Sequence, residues 1–282
     1  MVTATKSKKN SHSKLTADNY YHEQSYMDVS SFKPFLNCEA AGLASYQGKY
    51  QMFNDDTPLL VGNYIHSHFE SKEAHQKFLN KNKKKLFRYG NPDKGLKKEY
   101  QQADTMIKCL ASEPLFQNLY MPGDKEVIVT GDLHGYQWKG KVDSLNLERG
   151  YFCDLKTVDN FHKKHWNKKY NYPVNFAVDR GYFYQIALYR ELIHQQFGKW
   201  CVPFICAVSK QDPPDKDIFD FDADNAQQLL DESLQTLIDR QEQVFKVING
   251  ELKPTRCESC DWCRMTKHLT RSTGILDIQL DS

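Results

Sequence analysis

The sequence predicts a mixed α/β fold, a sheet flanked by helices, and three observations carry that expectation. Residues 139–158 (KGKVDSLNLERGYFCDLKTV) read as two short strands, 140–147 and 151–158, joined by the polar turn Glu148-Arg149-Gly150. Residues 200–208 (WCVPFICAV) form a short apolar run of the kind that makes a buried strand. Residues 179–197 and 225–248 repeat their apolar side chains at helical spacing. The 282 residues suffice for one large domain or two small ones with an ample core.

Taken in order, residues 1–17 read as a disordered basic arm and 18–269 as a single domain, whose segment 251–269 is rich in cysteine; a short tail, 270–282, follows. An irregular entry leads to a first helix that Ser30 or Ser31 would cap, with Pro34 in its first turn and Cys38 on it. A loop with Gly48, Asp55, Asp56 and Pro58 precedes a helix beginning near Leu59 (PLLVGNYIHSHFES), on which His66 and Glu70 stack four residues apart. A lysine-rich stretch and a helix over 98–110 come next. The run EVIVT opens a β-rich section at 124–130, which continues through the hairpin. Residues 159–177 read as a basic, aromatic loop. The helix over 179–197 carries Tyr182, Ile186, Tyr189 and Ile193 on one face and sets Gln185 four residues before Tyr189. A proline- and aspartate-rich connection, 211–224, leads to a long helix over 225–248, with Gly250 as its C-cap.

Composition narrows the function. With 40% hydrophobic and 26% charged residues the chain is ordinary globular material. No apolar run approaches the roughly 20 residues that span a bilayer, and the N-terminal stretch has no apolar signal core, so a cytoplasmic protein is expected. The net charge is only +2, but lysines crowd residues 72–98 and the segment FHKKHWNKKYNY, where they alternate with Trp166, Tyr170 and Tyr172. Cations interleaved with aromatics suit phosphate contact and base stacking. Of the eight cysteines, Cys109, Cys153, Cys201 and Cys206 lie in apolar surroundings and read as core. Cys257, Cys260 and Cys263 instead recur every third residue, a spacing of metal ligands.

The chemistry concentrates in the hairpin. Side chains of a strand alternate faces, so Asp154 and Lys156 point one way and Cys153 and Leu155 the other; Asp143 on the preceding strand lies near Asp154 if the strands pair close to their turn. Two carboxylates and an ammonium suit a hard divalent cation and an attacking water. The acid-x-Lys triplet also occurs as Glu70-Ser71-Lys72 and Glu251-Leu252-Lys253; the Asp154 copy differs by its β-prone setting and its upstream aspartate.

His66, then Asp143, then Asp154-x-Lys156, then Gln185-x-x-x-Tyr189 form a series that resembles the PD-(D/E)xK nuclease superfamily, in its RecB-like and RecE-like exonuclease branch. The stretches YMDVSSFKPFLNCEAAGLA and LLVGNYIHSHFE look like phage-type exodeoxyribonuclease VIII domains. The resemblance covers about residues 15–269; Val142 stands where the superfamily's name has proline. It implies a restriction-endonuclease-like core with helical N- and C-terminal additions. By the same resemblance His66, Asp143, Asp154 and the Leu155 carbonyl would ligate Mg²⁺ or Mn²⁺, Lys156 would position or activate water, and Gln185 and Tyr189 would order the site and hold DNA. Glu70 sits where relatives often carry an acid. Iron–sulfur members set one cysteine before the nuclease motifs and three after, as Cys38 and Cys257, Cys260 and Cys263 stand here, although this chain's gap before its last cysteine is short; a [4Fe–4S] cluster, a Zn²⁺ ion or free thiols remain alternatives.

The implied activity is metal-dependent exonucleolytic hydrolysis of linear DNA ends, in phage or prophage recombination within a bacterial host cell. Its partners would be DNA, held by its backbone without sequence reading, a single-strand annealing protein and further copies of this chain. The alternatives are a structure-specific or single-strand endonuclease of the same fold and a non-catalytic DNA-binding metal-cluster protein.

Overall fold

Helices α1 (Val29–Asn37), α2 (Glu39–Tyr46), α3 (Thr57–Glu70), α4 (Lys72–Lys81), α5 (Lys83–Leu86), α6 (Lys98–Ala111) and α7 (Pro114–Leu119) precede the first strand. Strands β1 (Asp124–Leu133), β2 (Tyr136–Asn146), β3 (Tyr151–Val158), β4 (His165–Asn167) and β5 (Tyr172–Val174) follow, then α8 (Phe176–Asp179), α9 (Tyr182–Phe197), β6 (Val202–Ser209), β7 (Lys216–Phe219), α10 (Asp224–Ile248) and α11 (Asp261–Met265). The computed structural model describes residues 15–51, 55–167, 171–269, 272 and 274–277. The expected basic arm falls almost entirely outside them, as do most of the tail and Lys168, Lys169 and Tyr170 of the second basic cluster.

Among the described residues the strands form one five-stranded sheet, ordered β1-β2-β3-β6-β7, and a separate β4-β5 hairpin. β3 and β6 run parallel while the other neighbours in the large sheet are antiparallel. Parallel neighbours need a crossover, and α9 lies between β3 and β6 in the chain. This is the mixed sheet flanked by helices that the sequence predicts, in a restriction-endonuclease-like arrangement with helical extensions. One face packs Val129, Trp138 and Phe152 against α1, α9 and α10. The other packs Tyr151, Cys153 and Leu155 against α3, α6 and α7. The alternation read from the sequence therefore holds on β3: Phe152 faces the α9 layer, and Cys153 and Leu155 face the α3 layer.

Several boundaries differ, each for a local reason. Asp28, not a serine, caps α1, its carboxylate accepting from Ser31 N at 2.9 Å. Pro34 lies inside that helix rather than in its first turn, and Cys38 is the extended residue (φ −162°) that separates α1 from α2. The helix expected over 179–197 begins only at Tyr182, as α9, after Gly181 at φ 63°, and the short α8 precedes that break, mostly within the stretch expected as loop. The expected loop over 159–177 contains β4 and β5, and the connection over 211–224 contains the edge strand β7. The strand expected to be buried from Trp200 starts at Val202, and both residues are exposed. Cys153, Cys201 and Cys206 are buried as expected, whereas Cys109 is only half-buried.

Candidate active site and cysteine site

Three backbone features assemble the catalytic candidates. The β2-β3 ladder runs from Asn146↔Tyr151 to Ser144↔Cys153 and stops, so the next position holds Asp143 opposite Asp154 without backbone pairing. Asp143 Oδ2 instead accepts from the Leu155 N–H at 2.7 Å. The N–H and C=O of one strand residue project to the same edge, so the Leu155 carbonyl faces this edge as well. α3 then brings His66 Nδ1 to 3.5 Å from Asp143 Oδ1. From the opposite layer α9 supplies Gln185 and Tyr189.

The polar network beside them is continuous. Asp154 Oδ2 lies 2.6 Å from Lys156 Nζ, and Asp154 Oδ1 accepts from Gln185 Nε2 at 3.0 Å. Lys156 Nζ donates to Gln185 Oε1 at 3.1 Å, and Gln185 Nε2 lies 2.9 Å from the Tyr189 hydroxyl. The Tyr182 ring sits 4.8 Å from the Lys156 ammonium. Despite its ion pair, Asp154 Oδ2 has no aligned hydrogen-bond donor, so a buried carboxylate oxygen is incompletely satisfied. Gln185 touches acid, lysine and tyrosine alike.

Burial and charge set the protonation of these groups in opposite senses. Burial raises the Asp143 carboxyl, but His66 and Lys156 outweigh it and hold it below the usual carboxylate value. Burial lowers His66, yet Asp143 carries it above 6.5. For Asp154, burial dominates and raises the carboxyl, Lys156 offsetting it only in part. Burial also disfavours the Lys156 cation, but Asp154 and Asp143 prevail and push it up to about 12. Lys156 is therefore an ammonium in the metal-free protein.

A metal position follows from donor chemistry. One ligand atom each of His66, Glu126 and Asp143 lies within 4.8 Å of the others. An imidazole nitrogen and two carboxylates fit a divalent cation that keeps waters in its remaining positions. Asp154, expected as a ligand, is not part of this group; its oxygens face Lys156 and Gln185. Glu126 was not expected. It faces Asp143 in the β1-β2 register, at the position where pairing is interrupted between Lys125↔Ser144 and Val127↔Val142. Its backbone is left-handed, φ 54°, which costs of order 1–3 kcal/mol in a non-glycine residue and is concentrated at functional sites. Lys141 pairs with it. Glu70 lies at the rim, its carboxyl raised by burial and by Glu126. The cleft, about 730 Å³, is also lined by Tyr20, Tyr21, Lys77 and Lys81.

The cysteines form a second constellation. Cys38 Sγ lies 3.6 Å from Cys263 Sγ although 225 residues separate them, and Cys257 Sγ lies 4.0 Å from Cys263 Sγ. The Sγ atoms of Cys38, Cys257, Cys260 and Cys263 all lie within 4.8 Å of one another. Buried Glu39 holds the two chain segments together, accepting from Thr255 N at 2.9 Å and Thr255 Oγ1 at 2.8 Å; Ala40 N donates to Thr255 O at 3.0 Å. Burial would raise Cys257, but N–H groups of Cys260 and Ser259 stabilise its thiolate and bring it down to about 6. Four such sulfurs can coordinate a metal ion.

A mixed sheet carrying an acid on one strand and acid-x-Lys on the next, under a helix with Gln-x-x-x-Tyr, defines a PD-(D/E)xK-like nuclease fold. The chain belongs to the family described as PDDEXK-like domain of unknown function (DUF3799), which matches residues 28–266. A crystal structure described as "Putative exonuclease", from Eubacterium rectale, is 33% identical over 94% of this chain and 98% of that chain, with a TM-score of 0.80. The structure of SSO0001 aligns over 78% of this chain and 96% of that chain at 12% identity, but its TM-score of 0.25 is too low to bear on the fold. No curated protein matches the chain. Among the described residues no helix is long and apolar enough to cross a membrane.

Proposed function

We propose that this protein is a divalent-metal-dependent DNA exonuclease of the RecB-like and RecE-like type, hydrolysing phosphodiester bonds at linear DNA ends. The observation that carries the reading is the convergence of His66, Glu126 and Asp143 on one small volume beside the Asp154–Lys156 pair. The relative from Eubacterium rectale, described as "Putative exonuclease", supports the choice of ends over internal bonds. His66, Glu126 and Asp143, with the Leu155 carbonyl, would hold Mg²⁺ or Mn²⁺, which supplies a water that is nucleophilic near neutral pH and neutralises charge on the phosphate. Asp154 lies beside that group, its Oδ2 paired with Lys156 and its Oδ1 accepting from Gln185.

The chain's own residues do the rest. Lys156, an ammonium held between Asp154, Gln185 and Tyr182, orients the attacking water and stabilises charge on the reacting phosphate; at a pKa of about 12 it is a poor proton acceptor in the metal-free protein. Gln185 fixes Asp154 and Lys156 in one geometry, with Tyr189 beside it. Lys77 and Lys81, one turn apart on α4, line the cleft and would contact backbone phosphates without reading sequence. A role beside a strand-annealing protein in phage or prophage recombination fits such an activity in a bacterial cytoplasm.

For the cysteine site the sulfur spacing favours Zn²⁺ over [4Fe–4S]. A tetrahedral ion with bonds of about 2.3 Å separates its sulfurs by about 3.8 Å, close to the observed 3.6 and 4.0 Å. Four irons and four sulfides would demand a wider cage. The site staples the terminal segment to α2.

Digestion of end-labelled linear duplex with Mg²⁺ or Mn²⁺, beside a closed circle and the Lys156→Ala protein, tests the activity. Loss of the linear substrate alone, abolished by the substitution, is expected. Cutting of the circle would instead make it an endonuclease, and no cleavage by fully metallated protein would leave a DNA-binding protein.

A further inference from the structure

Tyr20 and Tyr21 line the catalytic cleft, and the segment that carries them is anchored on β2. Met27 N donates to Gln137 O and Lys139 N donates to Met27 O, which docks the end of the segment on β2. The Lys139 side chain, only 3% exposed, donates to the carbonyls of Tyr20 at 2.6 Å and Glu23 at 2.7 Å. A buried ammonium spent on two carbonyls of one turn pins that turn firmly, because leaving such a charge unpaired would cost several kcal/mol. Tyr20 and Met27 point into the protein. Tyr21, between them, is 73% exposed, yet lines the same cleft as His66, Glu126 and Asp143.

Three contacts place its ring, one of them a hydrogen bond between the Tyr21 and Lys141 side chains. Tyr21 meets Tyr20 edge-on at 5.2 Å, and the Lys141 ammonium lies 5.0 Å from its ring centroid. Lys141 is in turn paired with Glu126, the acid beside Asp143 and His66. A solvent-facing aromatic is thus tied through one lysine to a candidate metal ligand. Hydrophobic burial does not explain this arrangement.

We infer that Tyr21 is a stacking platform for an unpaired nucleobase next to the reacting phosphate, so that the cleft takes a single-stranded or frayed terminal nucleotide. Every base offers a π face, so such a platform grips an end without reading sequence, and Lys141 lies within reach of the neighbouring phosphate. The inference rests on the nucleic-acid reading of the cleft and adds the state in which the end is bound.

The test uses full-length protein with Ca²⁺ in place of Mg²⁺, to permit binding without turnover, and oligonucleotides carrying 2-aminopurine at the terminal or at an internal position. Wild type and Tyr21→Phe are expected to quench the terminal probe several-fold on binding. Tyr21→Leu, which keeps apolar bulk but no ring, should lose that quenching and weaken binding of a short single strand about tenfold, as loss of one stacked base does. Unchanged quenching in Tyr21→Leu, with binding intact, overturns the inference. Stacking by a protein that never cleaves with Mg²⁺ or Mn²⁺ would uphold it and remove the nuclease reading; failure of wild type to bind any oligonucleotide would remove both.

Discussion

Glu126 stands directly opposite Asp143 across β1 and β2, at the position where the ladder between those strands is interrupted, and does so from a left-handed backbone. The register continues unchanged on both sides, so no residue is inserted; the backbone is twisted locally to aim one carboxylate at another. Like charges set opposite each other repel. Lys141 and His66 offset that repulsion in the metal-free protein, and a divalent cation would offset it further.

Glu126→Gln is therefore expected to weaken Mn²⁺ binding about tenfold or more, since one anionic ligand is replaced by a neutral one of the same shape. Calorimetric titration of Mn²⁺ into both proteins checks it. Without metal the variant should be somewhat less stable than wild type, because the Lys141 ammonium loses its carboxylate partner and relief of the repulsion with Asp143 offsets that only in part. Equal affinity for Mn²⁺ would exclude Glu126 from the metal site.

Lys156→Ala should lower kcat about 10²–10⁴-fold, the range for a positioned group that acts on the proton or charge of the reacting water. It should also leave Asp154 a buried carboxylate with Gln185 as its one remaining partner. DNA affinity in Ca²⁺ is expected to stay within a few-fold, because Lys77 and Lys81, proposed to contact phosphate, are untouched. Asp154→Ala should behave alike in rate; cleavage retained by either variant would displace this pair from the centre of the chemistry. Single-turnover cleavage and fluorescence anisotropy separate the two effects.

The pH dependence of the metal-free protein follows from the His66–Asp143 pair. Asp143 is held below its ordinary value of 3.8, so its contribution is present above that value and lost as pH falls through the folded one. His66 is raised above 6.5, so its contribution is full below 6.5 and lost as pH rises through the folded value. Wild type should thus exceed His66→Ala in melting temperature most clearly near pH 5, and the difference should shrink toward pH 8. Added Mn²⁺ reverses the trend, because the imidazole must shed its proton to bind metal; the metal's stabilising effect should grow with pH. Thermal melts across that range, with and without Mn²⁺, give both slopes.

How much of this the sequence discloses depends on which interactions are local. The β2-β3 hairpin was legible because its turn is short, four residues from Leu147 to Gly150, and its alternation fixes which face Asp154 and Lys156 share. The α9 pair, Gln185 and Tyr189, follows from helical spacing alone. Glu126 has no local signature of its own, but an indirect one exists: His134 and Gly135, at φ 52° and 92°, form a two-residue turn between Leu133 and Tyr136. Reading that His-Gly pair as a hairpin fixes the register of β1 on β2, and counting back along both strands brings Glu126 opposite Asp143. The sequence could not reveal that the backbone would bend there, nor that Gln185 would bridge Asp154 and Lys156. Those are outcomes of packing between α3, α9 and the sheet. Cys38 and the C-terminal cysteines were grouped by resemblance; the Glu39–Thr255 contacts that place them side by side are long-range and leave no local trace.

Cys260→Ala should remove about one equivalent of bound metal and lower the melting temperature by roughly 5 °C or more, since a structural metal stabilises only the folded chain. Elemental analysis beside a visible spectrum distinguishes the occupants. Zinc without colour is expected from the sulfur spacing. A brown protein containing iron would establish the cluster, and metal content unchanged by the substitution would remove the site altogether.

Gly140→Ala tests the packing that supports the site from behind. A β-carbon at Gly140 would come within 2.5 Å of the Tyr189 ring, and Val129 stands at 3.2 Å on the other side. The ring cannot retreat easily, because Tyr189 is buried against the sheet and its hydroxyl lies 2.9 Å from Gln185 Nε2. Overpacking of this kind costs about 1–3 kcal/mol. Relief by a shift of Tyr189 would pull Gln185 away from Asp154 and Lys156, so the substitution should lower kcat more than it raises KM. Tyr189→Phe, which keeps the ring and removes only the hydroxyl contact, should retain most of the stability while sharing part of the rate loss. A Gly140→Ala protein with wild-type stability and rate would show that Tyr189 moves freely, and would end its role in holding Gln185.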